Sequence, residues 1–305
     1  MHPETRQTTS ELLELCREID GDSARCVRVL PVRSSLLYHS RKYIAGILNV
    51  TPDSFSDPGE YFDPSVAVKR ALQMIKDGAT VIDIGGQSTK PNAVPISADL
   101  ELERVLPVLK LLRDADATVI ISIDTFNSSV AKACLENGCD IINDVSGGER
   151  DEHMAGVVSA KQCGFISMHM RGDSGTMMGM TDYPLGITVT VQTHFINTLE
   201  KLVANGVFRW NVIMDPGLGF AKTGAQSREL MRNLRSVCGV ADVPLMVGVS
   251  RKSFLGDIVG RPVTQRISAT ISACTLCAYL GAMFLRVHDV AQCRDALLVA
   301  EDFIG

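Results

Sequence analysis

Along most of its length this chain alternates short, continuously apolar runs with longer stretches in which apolar residues return every three or four positions. A short run without polar interruption reads as a strand covered on both faces, and the three-to-four spacing reads as an amphipathic helix. Eight strands follow. The first is IAGILNV, beginning at Ile44, and the others lie in TVIDIGGQSTKP, TVIISIDT, CDIINDVSGG, GFISMHMRG, NVIMDPGLGF, PLMVGVSRKS and MFLRVHD. Helices are predicted over 64–77, 97–114, 127–137, 152–162, 188–205, 224–237, 264–280 and 289–303. Eight strand–helix pairs within 44–305 fit a closed (β/α)8 TIM barrel better than an open doubly wound sheet. Residues 1–43 stand outside this rhythm as an N-terminal extension. Within it, 10–20 has a short acidic helical pattern, and 26–43, with Pro31 and β-branched residues, is predicted to form a hairpin plugging the N-terminal end of the barrel.

Most of the apolar runs stop at a cluster of polar groups. Asn49, Thr51, Asp53, Ser54 and Asp57 crowd the first exit, and later strands end in similar sets. Parallel barrel strands all open on one mouth, so Asn49, Thr89, Asp124, Asn143, Asp215, Lys252, Arg286 and His288 are expected to converge there. Asp124, Asn143 and Asp215 opposite Lys252 match a flat heterocycle with N–H donors on one edge and a carbonyl oxygen on the other. Asp124 has an alternative role as a helix cap, because a helix follows at Asn127. Asp215 precedes Pro216 and Gly217, which cannot begin a helix at once, and the glycines of DPGLGF suggest backbone pressed against a ligand. Arg286 and His288 point the same way by the period of two. With Lys90 and Asn49 they suit a phosphate or diphosphate carrying Mg²⁺.

Composition narrows the class. A net charge of −5 without clustered Lys and Arg argues against nucleic-acid binding. No basic segment followed by an apolar core opens the chain, so no signal peptide is read. The uncharged segment 267–285 contains Ser268, Thr270, Ser272 and Thr275 and belongs to the helix-to-strand rhythm, so no membrane span is expected. A helix apolar around most of its circumference needs cover on two sides. A homodimer through 264–280 is therefore expected, with Ala273 taken as an outward position. The nine cysteines, odd in number and scattered, point to free thiols in a reducing, cytoplasmic setting. Cys274 and Cys277 lie mid-helix among apolar residues, and Cys134, Cys139, Cys163, Cys238 and Cys293 read as small core residues.

The motifs GILNVTPDSFSD, DIGGQSTKP, SIDT, INDVSGG, MHMRG, DPGLGF, VGVSRKSFLG and RVHD, in this order from Ile44 onward, closely resemble the dihydropteroate synthases of folate biosynthesis, the enzymes targeted by sulfonamides. DPGLGFAKT and VSRKSFLG resemble most the fused folate-synthesis enzymes of fungi, in which the synthase is joined to a pyrophosphokinase. The resemblance implies a transferase that joins 6-hydroxymethyl-7,8-dihydropterin diphosphate to p-aminobenzoate, releasing pyrophosphate by an SN1-like path. It also allows a mitochondrial location if the chain is cut from a longer precursor. Carried over by motif, Asp124, Asn143, Met168, Asp215, Lys252 and Arg286 would hold the pterin. Asn49, Thr89, Lys90, Arg286 and His288 would hold the diphosphate, with Asn49 and Asp57 on Mg²⁺. Phe55, Thr89, Pro91, Phe220 and Ser250 would border p-aminobenzoate, and Lys252, Arg286, His288, Asp124 and Asp215 would serve catalysis. The loops after the first two barrel strands, rich in Gly, Ser and Pro, are expected to be mobile until the diphosphate binds. Three positions depart from the family pattern: Lys90 stands for an Arg, Pro58 for a Gly, and Leu218 for an aromatic residue. A methyltetrahydrofolate:corrinoid methyltransferase would explain the pterin half alone, and a catalytically silent pterin-binding scaffold is the third reading.

Overall fold

The computed structural model describes residues 29–32, 35–38, 41–51 and 63–304. Eight parallel strands form the barrel: β3 (Tyr43–Asn49), β4 (Val81–Gly85), β5 (Ile120–Asp124), β6 (Ile141–Asp144), β7 (Gly164–Met168), β8 (Val212–Asp215), β9 (Met246–Val247) and β10 (Phe284–Val287). β10 pairs with both β9 and β3, and a parallel bridge from Met214 to Leu245 closes the remaining gap between β8 and β9. Around them run α1 (Pro64–Lys76), α2 (Ala98–Ala115), α3 (Ser128–Glu136), α4 (Met154–Lys161), α5 (Ile187–Ala204), α6 (Gly224–Arg232), α7 (Leu234–Val240), α8 (Ser253–Val259), α9 (Ile267–Tyr279) and α10 (Val290–Ile304).

Each strand is buried on both faces because each face meets a different partner. Outward residues such as Leu48, Ile82, Ile84, Ile121, Ile123 and Leu285 pack with Ala67, Val105, Leu112, Cys134 and other residues of the helical layer. Inward residues change character along the strand. At the N-terminal end Ala45, Val81, Ile120, Ile141, Ile166, Ile213 and Phe284 form an apolar plug. Two residues further on, the same faces carry Asp83, Ser122, Asn143, Asp215 and Arg286, so the period of two lifts the polar set above the plug. The expected hairpin is present as β1 (Val29–Val32) and β2 (Ser35–Tyr38), and its Leu30, Val32 and Leu37 seal the plug from below. A fully buried side chain of this size contributes roughly 1.5–3 kcal/mol. The expected acidic helix over 10–20 lies outside the described residues.

Local signals set several helix starts. Asp63 caps α1, accepting from the Ser65 N–H at 2.8 Å with Pro64 in the first turn, and Thr223 and Gln226 close a reciprocal capping box on α6. Two expectations are corrected. The helix predicted over 224–237 breaks at Asn233 into α6 and α7. Leu230, Leu234 and Val237 are all buried across the break, so the apolar pattern does not betray it. α8 follows β9 where no helix was predicted. Its seven residues are too few for a periodic signal, and Gly260 ends it in the left-handed conformation. No described helix is long and apolar enough to cross a membrane. Cys134, Cys139, Cys274, Cys277 and Cys293 are buried free thiols, while Cys163 and Cys238 are only half-buried. Ala273 is buried too, so the outward positions of α9 are instead Ile267, Leu276 and Tyr279.

Candidate active site

Strand register brings the polar residues to one level. Asn49 pairs with Gly85, Gly85 with Asp124, Asp124 with Asn143, and Met168 with Asp215. They surround a cavity of about 480 Å³, counting its open mouth, whose lining includes Thr89, Asn143, Met168, Asp215, Phe220, Ser250, Lys252, Arg286 and His288. Nine of the expected site residues therefore share one pocket. Asp124 stands behind this lining, held by Arg286. Lys90 and Pro91 are exposed on the rim, and Phe55, Asp57 and Pro58 lie outside the described residues.

Arg286 is clamped by two carboxylates. Its Nε donates to Asp83 Oδ2 at 2.6 Å and its Nη2 to Asp124 Oδ2 at 2.7 Å. Asp124 is thus the partner of a buried guanidinium and not a helix cap; Asn127 occupies the cap position of α3. Burial works against the arginine's charge, yet Asp83 and Asp124 hold its pKa above the ordinary value. Burial pushes the Asp124 carboxyl up to about 7 against the pull of Arg286, with Asp83 and Glu101 pushing the same way. Asp83 also accepts from Asn143 Nδ2 at 3.0 Å, which commits the Asn143 nitrogen and leaves its oxygen as the acceptor toward the cavity. Asp83 was missed as a candidate. Its signal was an acid in mid-strand of the apolar run VIDIG, where a buried charge demands a partner.

The opposite wall is built by the loop after β8. Asp215 Oδ1 accepts from the Gly217 N–H at 2.7 Å, and burial raises its pKa against that bond and against Lys252. Gly217 has φ +63°, and any Cβ there would collide with the His169 carbonyl. The close approach at Gly217 is thus to the protein's own backbone, and a Cβ on Gly219 would come within 3.3 Å of the Lys252 side chain. Lys222, also missed, lies 2% exposed beneath this loop and donates to the carbonyls of His169 at 3.1 Å, Gly217 at 3.0 Å and Phe220 at 2.9 Å. Burial drives its pKa well below the ordinary lysine value, with Asp215 opposing. Lys252 donates to the Leu218 carbonyl, and its Nζ sits 4.4 Å from the centre of the Phe220 ring. Burial lowers its ammonium to about 8 against the attraction of Asp215.

His288 faces Ser250, with Nδ1 2.9 Å from Oγ. Burial, then Arg286 and Arg251, lower the imidazole to about 4, so at neutral pH it is uncharged. The expected cationic pair is in effect one cation and one neutral hydrogen-bonding ring. Asn49 Oδ1 and Asp124 Oδ2 flank Gly85, 3.8 and 3.7 Å from where a side-chain carbon on it would lie. Among the described residues no three His, Cys, Asp or Glu side chains form a metal cage. A single Asn49 oxygen fits Mg²⁺ only in company, since that ion is commonly held by one or two protein oxygens together with phosphate and water.

A family model described as pterin binding enzyme matches residues 45–288. The chain belongs to this family. The dihydropteroate synthase of Synechocystis sp. is 40% identical over 275 residues, covering 89% of this chain and 94% of that protein. A folate synthesis bifunctional protein of Arabidopsis thaliana is 40% identical over 282 residues, 88% of this chain and 58% of that protein. The chain thus spans about half the length of the fused relatives it matches. Among solved structures, the Yersinia pestis dihydropteroate synthase in complex with a sulfonamide drug superposes with a TM-score of 0.85 at 33% identity, covering 90% of this chain and 99% of that one. The (β/α)8 barrel predicted from the strand rhythm is therefore its fold, shared with these solved synthases.

Proposed function

We propose that the chain is a dihydropteroate synthase, condensing 6-hydroxymethyl-7,8-dihydropterin diphosphate with p-aminobenzoate to 7,8-dihydropteroate and pyrophosphate. The observation that carries this reading is the pairing, across one cavity, of buried acceptors with the half-buried ammonium of Lys252. Asp215 and the Asn143 amide oxygen suit the N–H edge of a pterin, and Lys252 suits its carbonyl and ring nitrogen. Arg286, fixed by Asp83 and Asp124, offers a guanidinium plane to the ring face.

In the reaction the bond between the pterin methylene carbon and the diphosphate oxygen breaks, the amine nitrogen bonds to that carbon, and the proton it loses passes to water. Positive charge that develops on the methylene and ring is stabilised by Asp215, and the departing diphosphate meets Asn49, Thr89, Lys90 and His288 on the rim. Neutral His288 serves there as a hydrogen-bonding group. Mg²⁺ bound with Asn49 and Asp57 would supply charge neutralisation on the leaving oxygens. Thr89, Pro91, Phe220 and Ser250 border the side from which the amine approaches, where sulfonamides would compete; Phe55 joins them only by its place in the family motif.

The exposed Ile267, Leu276 and Tyr279 of α9, beside Leu298 and Val299 of α10, support a homodimer through this face. The free thiols support a reducing compartment, cytoplasmic or, as in the names of some plant relatives, mitochondrial. A pyrophosphokinase partner on the same polypeptide agrees with the fused relatives. The deciding experiment is pyrophosphate release with pterin diphosphate and Mg²⁺, with and without p-aminobenzoate. Release independent of p-aminobenzoate, or none at all, would overturn the synthase reading.

A further inference from the structure

The loop after β4, which carries Thr89, Lys90 and Pro91, is tied across the barrel mouth to the loop after β7. The Asn92 N–H donates to the Ser174 carbonyl at 2.7 Å, and the Ser174 hydroxyl donates to the Ala93 carbonyl at 2.8 Å. Asn92 has φ +62°, a left-handed conformation that Asn tolerates better than most residues. In the barrel order β5 and β6 stand between β4 and β7, so the strap passes over the ends of the two strands that carry Asp124 and Asn143. Its anchor is rigid. Asp173 Oδ1 accepts from the N–H groups of Gly175 and Thr176 and from the Thr176 hydroxyl, each at 2.9 Å, and Met177 is fully buried beneath. The strap thus fixes the loop after β4 at its Asn92–Ala93 end.

We propose that Ser174 is a positioning residue for the amine substrate: by clasping Asn92 and Ala93 it holds Thr89 and Pro91 in place as a wall of the p-aminobenzoate side. This rests on the synthase reading for the identity of the substrate, whereas the clasp itself is a property of the fold. Ser174 touches none of the residues assigned to the pterin. Its effect should be larger on p-aminobenzoate than on the pterin diphosphate, which meets only Thr89 and Lys90 of the same loop.

The test is Ser174→Ala, with Ser174→Thr as the variant that restores a hydroxyl. Losing one neutral hydrogen bond should speed amide exchange across 89–93 by about 2- to 10-fold and raise KM for p-aminobenzoate by a similar factor. KM for the pterin diphosphate should rise by less than that for p-aminobenzoate, with kcat within about twofold, and Ser174→Thr should recover both changes. Unaltered exchange in the alanine variant would overturn the clasp while leaving the synthase reading intact. Faster exchange with an unchanged KM for p-aminobenzoate would overturn the positioning role, as would losses on both substrates that Thr does not repair. An unmodified chain without p-aminobenzoate-dependent release would overturn the synthase reading and the substrate half of this proposal, while the exchange measurement would still decide the clasp.

Discussion

Asp83→Asn is the substitution that most directly tests how the floor of the site is held. The carboxylate accepts two bonds through one oxygen, from Arg286 Nε at 2.6 Å and Asn143 Nδ2 at 3.0 Å, and is 1% exposed. An amide of the same shape can set its one oxygen at the Oδ2 position, and it then buries an NH₂ donor where the unpartnered Oδ1 stood. It also removes one of the two charges facing Arg286. A hydrogen bond to a charged group contributes roughly 1.5–3 kcal/mol and a neutral one about 0.5–1.5 kcal/mol. Because an Asn oxygen in that place can keep both bonds and Asp124 remains, the loss comes from the removed charge and the newly buried NH₂, about 1–3 kcal/mol, short of the roughly 3–5 kcal/mol for stripping a buried ion of its partner. Urea unfolding should show a lower midpoint with an unchanged slope. A double-mutant cycle with Arg286→Met should return a coupling of about 1.5–3 kcal/mol, and pterin affinity should fall with the loss of the fixed guanidinium plane. A coupling below about 0.5 kcal/mol would mean that Asp83 does not hold Arg286, and the argument for a clamped floor would fail.

Asp215→Asn should weaken pterin binding by roughly 1–3 kcal/mol with a smaller effect on folding, since an NH₂ donor then faces ligand donors; calorimetry giving wild-type affinity would remove Asp215 from the site. Burial brings Lys252 down to about 8, so the free enzyme carries its ammonium below that pH and loses it above. kcat/KM for the pterin diphosphate should accordingly decline as pH rises through about 8, and a flat profile from 7 to 9.5 would contradict this. Lys90→Arg should keep or improve activity, because a planar fork suits phosphate oxygens better than an ammonium; equal kcat/KM for both substrates in Lys90→Ala would reduce Lys90 to a solvated rim residue. Leu276→Glu, at a position 54% exposed on α9, should give monomers by ultracentrifugation; an unmodified chain that is already monomeric at micromolar concentration would exclude the dimer.

The strand–helix rhythm was legible because barrel strands must be apolar on both faces, and the convergence of Asn143, Asp215, Lys252, Arg286 and His288 follows from the parallel order alone. What escaped depends on partners that are remote or featureless in sequence. Arg286 and Asp83 are 203 positions apart, so the acid in VIDIG gives no hint of the cation it clamps. Lys222 binds backbone carbonyls, which every residue carries and none announces. The Ser174 clasp joins main-chain groups of two loops 81 positions apart, and only the coordinates bring them together. α8 is too short for its periodicity to register. Ala273 was misplaced because a helix apolar on nearly all sides leaves its rotation about its own axis undetermined by pattern.

The clamp changes how the charges of the site divide their work. Read along the chain, Arg286 and His288 form a cationic pair on the last strand, suited to an anion. In the fold, Arg286 faces two carboxylates and His288 is neutral, so the floor beneath the cavity carries no net positive charge. A guanidinium already paired twice attracts a diphosphate only weakly, but its plane is fixed and its position does not relax when a ring lies against it. Asp215 and Lys252, on the opposite wall, are likewise matched to each other and to the hydrogen-bonding edge of a heterocycle. Recognition of the ring is therefore built into the rigid strand ends, where side chains are locked by packing and by one another. Attraction for the anionic leaving group falls instead to the rim, where Lys90 is exposed and free of a close acidic partner among the described residues. That division places the ring-binding groups where they cannot move and the departing anion where solvent can receive it, as a reaction whose second product must leave requires.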